Sequence, residues 1–465
     1  MNQQRTLVLF GASGDLTRRL LLPGLGSLLA SPQEGDPALA EGLRLLGSAR
    51  SERELDEWRS DIREGLSEGG ALREQAEAVA ADAAWVSGDP TEPEDLRRIL
   101  AEVHGTPILY FALPPGVTEA AIDALRGLEL PDDAMLALEK PFGADGDGAA
   151  ALNRKLARLV PERQIHRVDH FLGQQSVQGL LGLRFGNRLL EPVWNRENIE
   201  RVEIVFDEEL GLEGRAAYYD GAGALVDMLQ SHLLQVLAVV AMEPPAAIDE
   251  ESFRGAIAQV LGATSLWSGA PVLAGTEGPS RRARYTEGRV GGRDLPAYAD
   301  EEGVDPERGT ETLAEIAVGI ENRRWAGVPF VLRSGKAIGD PRTGIEVTFR
   351  PVDVVPKGLA GEPRPGRLTI GIAPETISLD LVRGGQEEPF RLEQEQLEAE
   401  VPERTLTEYG EVLRGILSGD ATLSVRGDVV ERCWRIVEPV LASWRSGEVP
   451  LDEYPAGSSG PQSWR

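Results

Sequence analysis

A run of apolar and β-branched residues from Thr6 to Phe10 stops at Gly11, and apolar residues with helical spacing follow from Leu16 to Leu29. A strand that turns on glycine into a helix is the opening unit of a parallel sheet, since parallel neighbours need a crossover connection. The pattern recurs. Leu43 to Leu46 ends in Gly47-Ser48-Ala49-Arg50 and is followed by polar helical sequence from Glu52 to Glu64. Pro107 to Phe111 and Ala134 to Leu138 also read as strands, ending in Leu113-Pro114-Pro115-Gly116 and Glu139-Lys140-Pro141-Phe142-Gly143. Alternating strands and helices predict an α/β fold whose N-terminal part is a parallel, doubly wound sheet. The Ala/Glu-rich stretch from Gly70 to Ala84 reads as a solvated helical face without chemistry.

Beyond about Ile165 the character changes. Helical segments at Gln175 to Leu190 and Ala224 to Ala241 accompany alternating strands such as Glu200 to Phe206 and Gly344 to Phe349, which is α+β rather than βαβ. The expected division is a first domain over 1–168 and a second over 169–465. Gly275 to Gly309, rich in Gly, Arg and acidic residues, reads as a long surface excursion of the second domain. The longest apolar stretch, Leu233 to Met242, is broken by Gln235 and reads as a core helix, too short for the ~20 residues of a membrane span.

Composition narrows the class of partner. The chain has 465 residues, 48 Lys+Arg against 76 Asp+Glu, and a formal charge of −28, so nucleic acid and anionic membrane surfaces are not expected partners. With 41% apolar residues the chain can bury a large core. Cys433 is the single cysteine and there are four histidines, so neither an internal disulfide nor a zinc cluster is expected, and no metal is assigned. The N-terminal run lacks the length and flanks of an export signal, and the expected setting is cytoplasmic.

Gly11-Ala12-Ser13-Gly14-Asp15-Leu16 sits between strand and helix, where backbone N–H groups can approach a pyrophosphate; a purely structural turn is the other reading, since the spacing is not GxGxxG. Arg50, at the end of the second strand, stands where an acidic residue would hold a ribose hydroxyl, so it suits a 2′-phosphate or is simply a surface cation. Asp169-His170 and His232 offer a carboxylate and two imidazoles, the ingredients of a general base that works near neutral pH, although spacing does not show that they meet.

Taken in order, GASGDL at Gly11, GSARS at Gly47, FALPPGV at Phe111, EKPFG at Glu139, RVDHFLG at Arg167, LRFGNRLLEPVWNRENIERV at Leu183, EEGVDP at Glu301, WAGVPFVLRSGK at Trp325 and YPAGSSGP at Tyr454 resemble the glucose-6-phosphate dehydrogenase family over nearly the whole chain. Sugar dehydrogenases of the glucose–fructose oxidoreductase type share an EKP motif but lack the DHFLG and GVPF blocks. The resemblance implies a Rossmann domain for NADP, with NAD possible, and a second domain with a large, mainly antiparallel sheet that carries the sugar site and a homodimer or homotetramer contact. It implies that His232 is the catalytic base and Asp169 the carboxylate that orients it. Gly11, Ser13, Gly14, Asp15, Leu16, Arg50, Pro114 and Lys140 fall on cofactor positions. Lys140, His170, Phe171, Gln174, Glu208, Asp227 and Lys336 fall on positions that hold the sugar.

The chain departs from the family at the sugar-phosphate motif. Where the family reads DHYLGK, this chain reads Asp169-His170-Phe171-Leu172-Gly173-Gln174, without the Tyr hydroxyl and the Lys charge. A hydrogen bond to a charged group is worth roughly 1.5–3 kcal/mol. Leu20 replaces a lysine, and after Lys336 the family's next cation falls on Pro341, with Arg342 one position off. The expectation is an NAD(P)-dependent pyranose 1-dehydrogenase acting on glucose or a C6-modified or amino glucose. The alternatives are an ordinary glucose-6-phosphate dehydrogenase in which Arg18, Arg19 or Arg342 rebuilds the phosphate pocket, and a non-catalytic sugar- or nucleotide-binding paralogue.

Overall fold

The structure, a computed structural model, describes residues 4–32, 42–214 and 216–464; the first residues of the segment read for an export signal lie outside these. The chain divides into two compact units, the first comprising Met1–Gln175, Pro245–Ala258 and Arg404–Glu431 and the second Ser176–Pro244, Gln259–Glu403 and Arg432–Arg465. The first unit is thus not one continuous stretch ending at 168, because two later segments return to it.

In the first unit β1 (Arg5–Phe10), β2 (Leu43–Ala49), β3 (Ala84–Ser87), β4 (Thr106–Phe111), β5 (Met135–Leu138) and β6 (Ile165–Arg167) form one sheet in the order β3-β2-β1-β4-β5-β6. Every pairing is parallel. Alternation along β1 explains its unbroken apolar run: Leu7 and Leu9 enter one core cluster, Val8 and Phe10 the other, so both faces are covered. The Gly70 to Ala84 stretch corrects the expectation. Its helix, Arg73–Ala81, buries Ala76, Val79 and Ala80 in the core, and β3 follows at once. Small alanine side chains let that helix pack closely while its glutamates face water.

In the second unit β7 (Ile199–Asp207), β8 (Thr264–Leu266), β9 (Ser280–Thr286), β12 (Leu313–Ile320), β13 (Pro329–Gly335), β14 (Thr343–Phe349), β15 (Arg367–Gly371), β16 (Thr376–Gly384), β17 (Leu392–Glu400) and β18 (Leu451–Pro455) form a ten-stranded sheet, while β10 (Gly288–Val290) pairs with β11 (Arg293–Leu295). The order is β17-β16-β15-β14-β7-β13-β12-β9-β18, with β8 also on β12. Only β7/β13 and β9/β18 run parallel within it. Gly275 to Gly309 is therefore not a surface excursion throughout. It supplies β9 and buries Tyr285 and Tyr298. One of its arginines, Arg281, lies opposite Glu315 of β12 and binds its carboxylate at 2.8 Å, which pairs the buried charge.

The helix over Tyr218–Ala241 is long and apolar enough to cross a membrane by length and composition, yet 83% of its apolar window is buried in the fold. Leu234 to Ala241 are all buried, as a core helix requires.

Candidate active site

The first unit carries a cleft of about 600 Å³ at the C-terminal ends of its strands, lined by Gly11, Ser13, Gly14, Arg50, Asp89 and Pro114 among others. Gly11 has φ +83°, and a Cβ there would come 2.3 Å from Ala112 O, so only glycine fits. Its N–H donates to Ser48 O at 2.9 Å, which ties the first strand's turn to the second strand, and Gly14 N–H donates to Gly11 O at 2.9 Å. The helical segment begins beside this turn, as Thr17–Leu21 in wide π turns and then Leu22–Ala30. Of the other expected cofactor positions, Asp15 is exposed, Leu16 packs on the core and Lys140 lies half-buried after β5; none of these lines the cleft. Arg50 is exposed on the cleft, facing Asp89. The Asp89 carboxyl lies below its ordinary range, chiefly through hydrogen bonds from Thr91, with Arg50 adding to the effect. No motif pointed to Asp89.

Lys140 follows Glu139 at the end of β5. Tyr110 Oη donates to Glu139 Oε1 at 2.6 Å, and the Tyr409 hydroxyl also hydrogen-bonds this carboxylate. Desolvation pushes Glu139 up to about 7, against the opposing pull of Tyr110, Lys140 and Tyr409. Tyr409, from the helix Glu408–Ser418, also stacks on His170, with ring centroids 5.5 Å apart and planes at 16°.

Asp169 begins the turn His170–Gly173 by accepting the Phe171 N–H on Oδ1 at 3.0 Å. Asp169, Phe171 and Gln174 are buried. The turn is packed tightly onto the returning helix, because a Cβ on Gly173 would come 2.7 Å from Glu408 O.

In the second unit, adjacent parallel strands deliver two of the expected sugar contacts together. Gly335 of β13 stands in register with Asp207 of β7, so the next residues, Lys336 and Glu208, leave the sheet side by side. Lys336 Nζ lies 2.6 Å from Glu208 Oε2 and 5.3 Å from the centre of the Tyr219 ring. Lys336 is 4% exposed, and its carbonyl accepts the Tyr454 hydroxyl at 2.7 Å.

His232 and Asp227 share the π-helical stretch Leu225–Leu233. That helix type hydrogen-bonds five residues apart, so Asp227 and His232 fall about one turn apart on one side, and such widened turns recur at functional sites. Asp227 accepts the Tyr218 hydroxyl at 3.2 Å, and His232 is 1% exposed. The stretch begins after Gly223, whose φ of +67° breaks the preceding helix. Glu311 fills the break: it accepts the Leu225 N–H on Oε1 at 2.9 Å, and desolvation pushes its carboxyl up to about 7. Sequence reasoning missed Glu311, Tyr219, Tyr110 and Tyr409, which carry no local motif.

The descriptions "Glucose-6-phosphate dehydrogenase, NAD binding domain" and "Glucose-6-phosphate dehydrogenase, C-terminal domain" match residues 8–179 and 181–465. The chain belongs to the glucose-6-phosphate dehydrogenase family. It is 37% identical to glucose-6-phosphate 1-dehydrogenase of Mycolicibacterium smegmatis, over 98% of this chain and 94% of that one. It is 34% identical to the Zymomonas mobilis enzyme of the same name, over 99% and 97%. A solved structure described as glucose-6-phosphate dehydrogenase in complex with its substrate glucose-6-phosphate superposes with a TM-score of 0.84 at 30% identity, over 99% of this chain and 96% of that one.

Membership of the glucose-6-phosphate dehydrogenase family makes the chain a sugar dehydrogenase with a nicotinamide cofactor and a small-molecule sugar as substrate. The first unit's cleft fits such a cofactor. The Gly11 turn is a cradle that a Cβ would fill, at the start of a helical segment where N–H groups meet phosphate oxygens.

Proposed function

We propose that this chain is a glucose-6-phosphate 1-dehydrogenase, oxidising C1 of glucose 6-phosphate to 6-phosphogluconolactone with NADP as the favoured acceptor. The full-length likeness to an enzyme seen with glucose 6-phosphate bound is the observation that supports this reading best. His232 takes the proton of the C1 hydroxyl, and Asp169 fixes its tautomer. Lys336, Glu208 and Asp227 hold the sugar hydroxyls, and Lys140 serves both sugar and cofactor. The nicotinamide, when bound, accepts the hydride from C1. The Arg50 guanidinium binds a 2′-phosphate, though it can also stack on adenine, so NAD is a second acceptor. Assembly as a homodimer or homotetramer and a cytoplasmic setting belong to the same proposal.

Phe171 and Gln174 favour a second reading, in which the sugar carries no ordinary 6-phosphate. Initial rates of NADPH and NADH formation with glucose 6-phosphate, glucose, and C6-modified and amino sugars decide between the two, with His232→Ala as the blank. Substantial kcat/KM with glucose 6-phosphate supports the proposal. Turnover confined to sugars lacking that phosphate overturns it in favour of the second reading.

A further inference from the structure

We infer that Arg404 supplies the cation absent from the sugar-phosphate motif and binds the 6-phosphate beside residue 174. The inference rests on glucose 6-phosphate being the substrate. A phosphate dianion needs positive charge and hydrogen-bond donors around it. The stretch Asp169 to Gln174 brings His170 to this task, but Phe171 has no hydroxyl and Gln174 no charge.

The structure brings a guanidinium to this turn from a segment far along the chain. Arg404 Nη2 donates to the carbonyl of Gly173, and the Arg404 backbone N–H donates to Gln175 Oε1 at 3.0 Å. These bonds grip the chain on both sides of Gln174, where the family carries its lysine. Arg404 Nη1 lies 3.2 Å from Glu411 Oε2, and Arg414 shares that oxygen at 3.1 Å. The same helix presents Tyr409, on which His170 stacks, so the segment from Arg404 to Arg414 supports both Arg404 and the His170 ring at the turn. A guanidinium carries five N–H donors in a rigid fork, so protein groups can anchor it while it binds phosphate oxygens.

Of the arginines expected from sequence to compensate, Arg18 and Arg342 each lie beside a carboxylate of their own unit. Arg18 binds Asp61 at 3.2 Å, a carboxylate that Arg53 also holds at 2.6 Å. Arg342 lies 3.9 Å from Glu203.

The test compares full-length wild type, Arg404→Gln, Arg404→Lys and the double variant Arg404→Gln/Gln174→Lys, reading kcat and KM for glucose 6-phosphate, KM for NADP, kcat/KM for free glucose, and inhibition by inorganic phosphate. Arg404→Gln is expected to raise KM for glucose 6-phosphate about tenfold to hundredfold. Its kcat should change by less than about threefold, with the NADP and free-glucose parameters steady and phosphate inhibition weakened in parallel. Arg404→Lys, which keeps the charge without the fork, should fall between the two. The double variant should recover most of the lost affinity by returning a lysine to the turn. An unchanged KM for glucose 6-phosphate in Arg404→Gln, or losses of equal size with glucose, NADP and glucose 6-phosphate, would overturn the role of Arg404 alone. Wild-type enzyme that fails to oxidise glucose 6-phosphate would overturn the substrate reading and this inference with it.

Discussion

Glu311 accepts the backbone N–H of Leu225 at 2.9 Å and so caps the helical stretch that carries His232. Its own carbonyl accepts the Ala224 N–H at 3.2 Å, which closes the break left by Gly223. Buried N–H groups at a helix start need such partners, and here the partner comes from the residue two before β12. The position of His232, the proposed base, is therefore held from outside its own helix.

Gly223→Ala is expected to damage both stability and turnover. Its φ of +67° with ψ of 173° is open to glycine almost alone, and the new methyl would lie 2.4 Å from Glu311 Oε1. A loss of about 1–3 kcal/mol should appear as a lower Tm, together with reduced kcat. A variant with wild-type Tm and kcat would show that the break does not hold the helix.

The pH dependence of stability carries the signature of Glu311. Its carboxyl is pushed up from 4.5 to about 7 by desolvation, so the folded chain keeps a proton that the unfolded chain gives up between these values. The resulting stabilisation is fully present below the lower value and is lost as pH rises through the upper, about 3 kcal/mol in order of magnitude. Glu311→Gln keeps an oxygen for Leu225 and cannot ionise. The drop in Tm between pH 5 and pH 8 should therefore be smaller in the variant than in wild type, and an identical drop would remove Glu311 from this role.

Lys336→Met tests the pair at the ends of β7 and β13. The thioether matches the lysine stem but removes the ammonium 2.6 Å from Glu208. KM for the sugar is expected to rise about tenfold or more, with KM for NADP unchanged. Equal changes in both constants would point to collapse of the sheet ends rather than a lost sugar contact.

Tyr409→Phe keeps the ring stacked on His170 and removes the hydroxyl from Glu139. That bond favours the ionised carboxylate, so its loss moves Glu139 above its value of about 7. With Lys140 next in sequence and Asp169 among the charges acting on Glu139, the low-pH limb of kcat/KM is expected to shift to higher pH. Tyr409→Leu, which also removes the stack, should additionally raise KM for the sugar phosphate. An unmoved limb in Tyr409→Phe would separate Glu139 from the chemistry.

Local physics made much of this chain readable. Periodicity marked β1, β2, β4 and β5, because a strand buried on both faces must be apolar at every step. The Gly11 turn was legible because its φ and its approach to Ala112 admit only glycine. The motifs around Lys140, Asp169 and His232 carried the family, and with it the expected machinery. Other features depend on partners remote in sequence, which local patterns do not encode. The stretch Gly275 to Gly309 read as solvated, yet its Arg281 is buried against Glu315, which β12 places opposite it. Glu311, Tyr409 and Arg404 stand in stretches without a motif, and each gains its role from the segment it packs against. The sequence by itself determined which stretches become strands and helices and which residues can do the chemistry, since these follow from dihedral preference, periodicity and side-chain type. Only the tertiary structure decided which charge meets which turn, because hydrogen bonds and ion pairs act over a few ångströms, whatever distance along the chain separates their members.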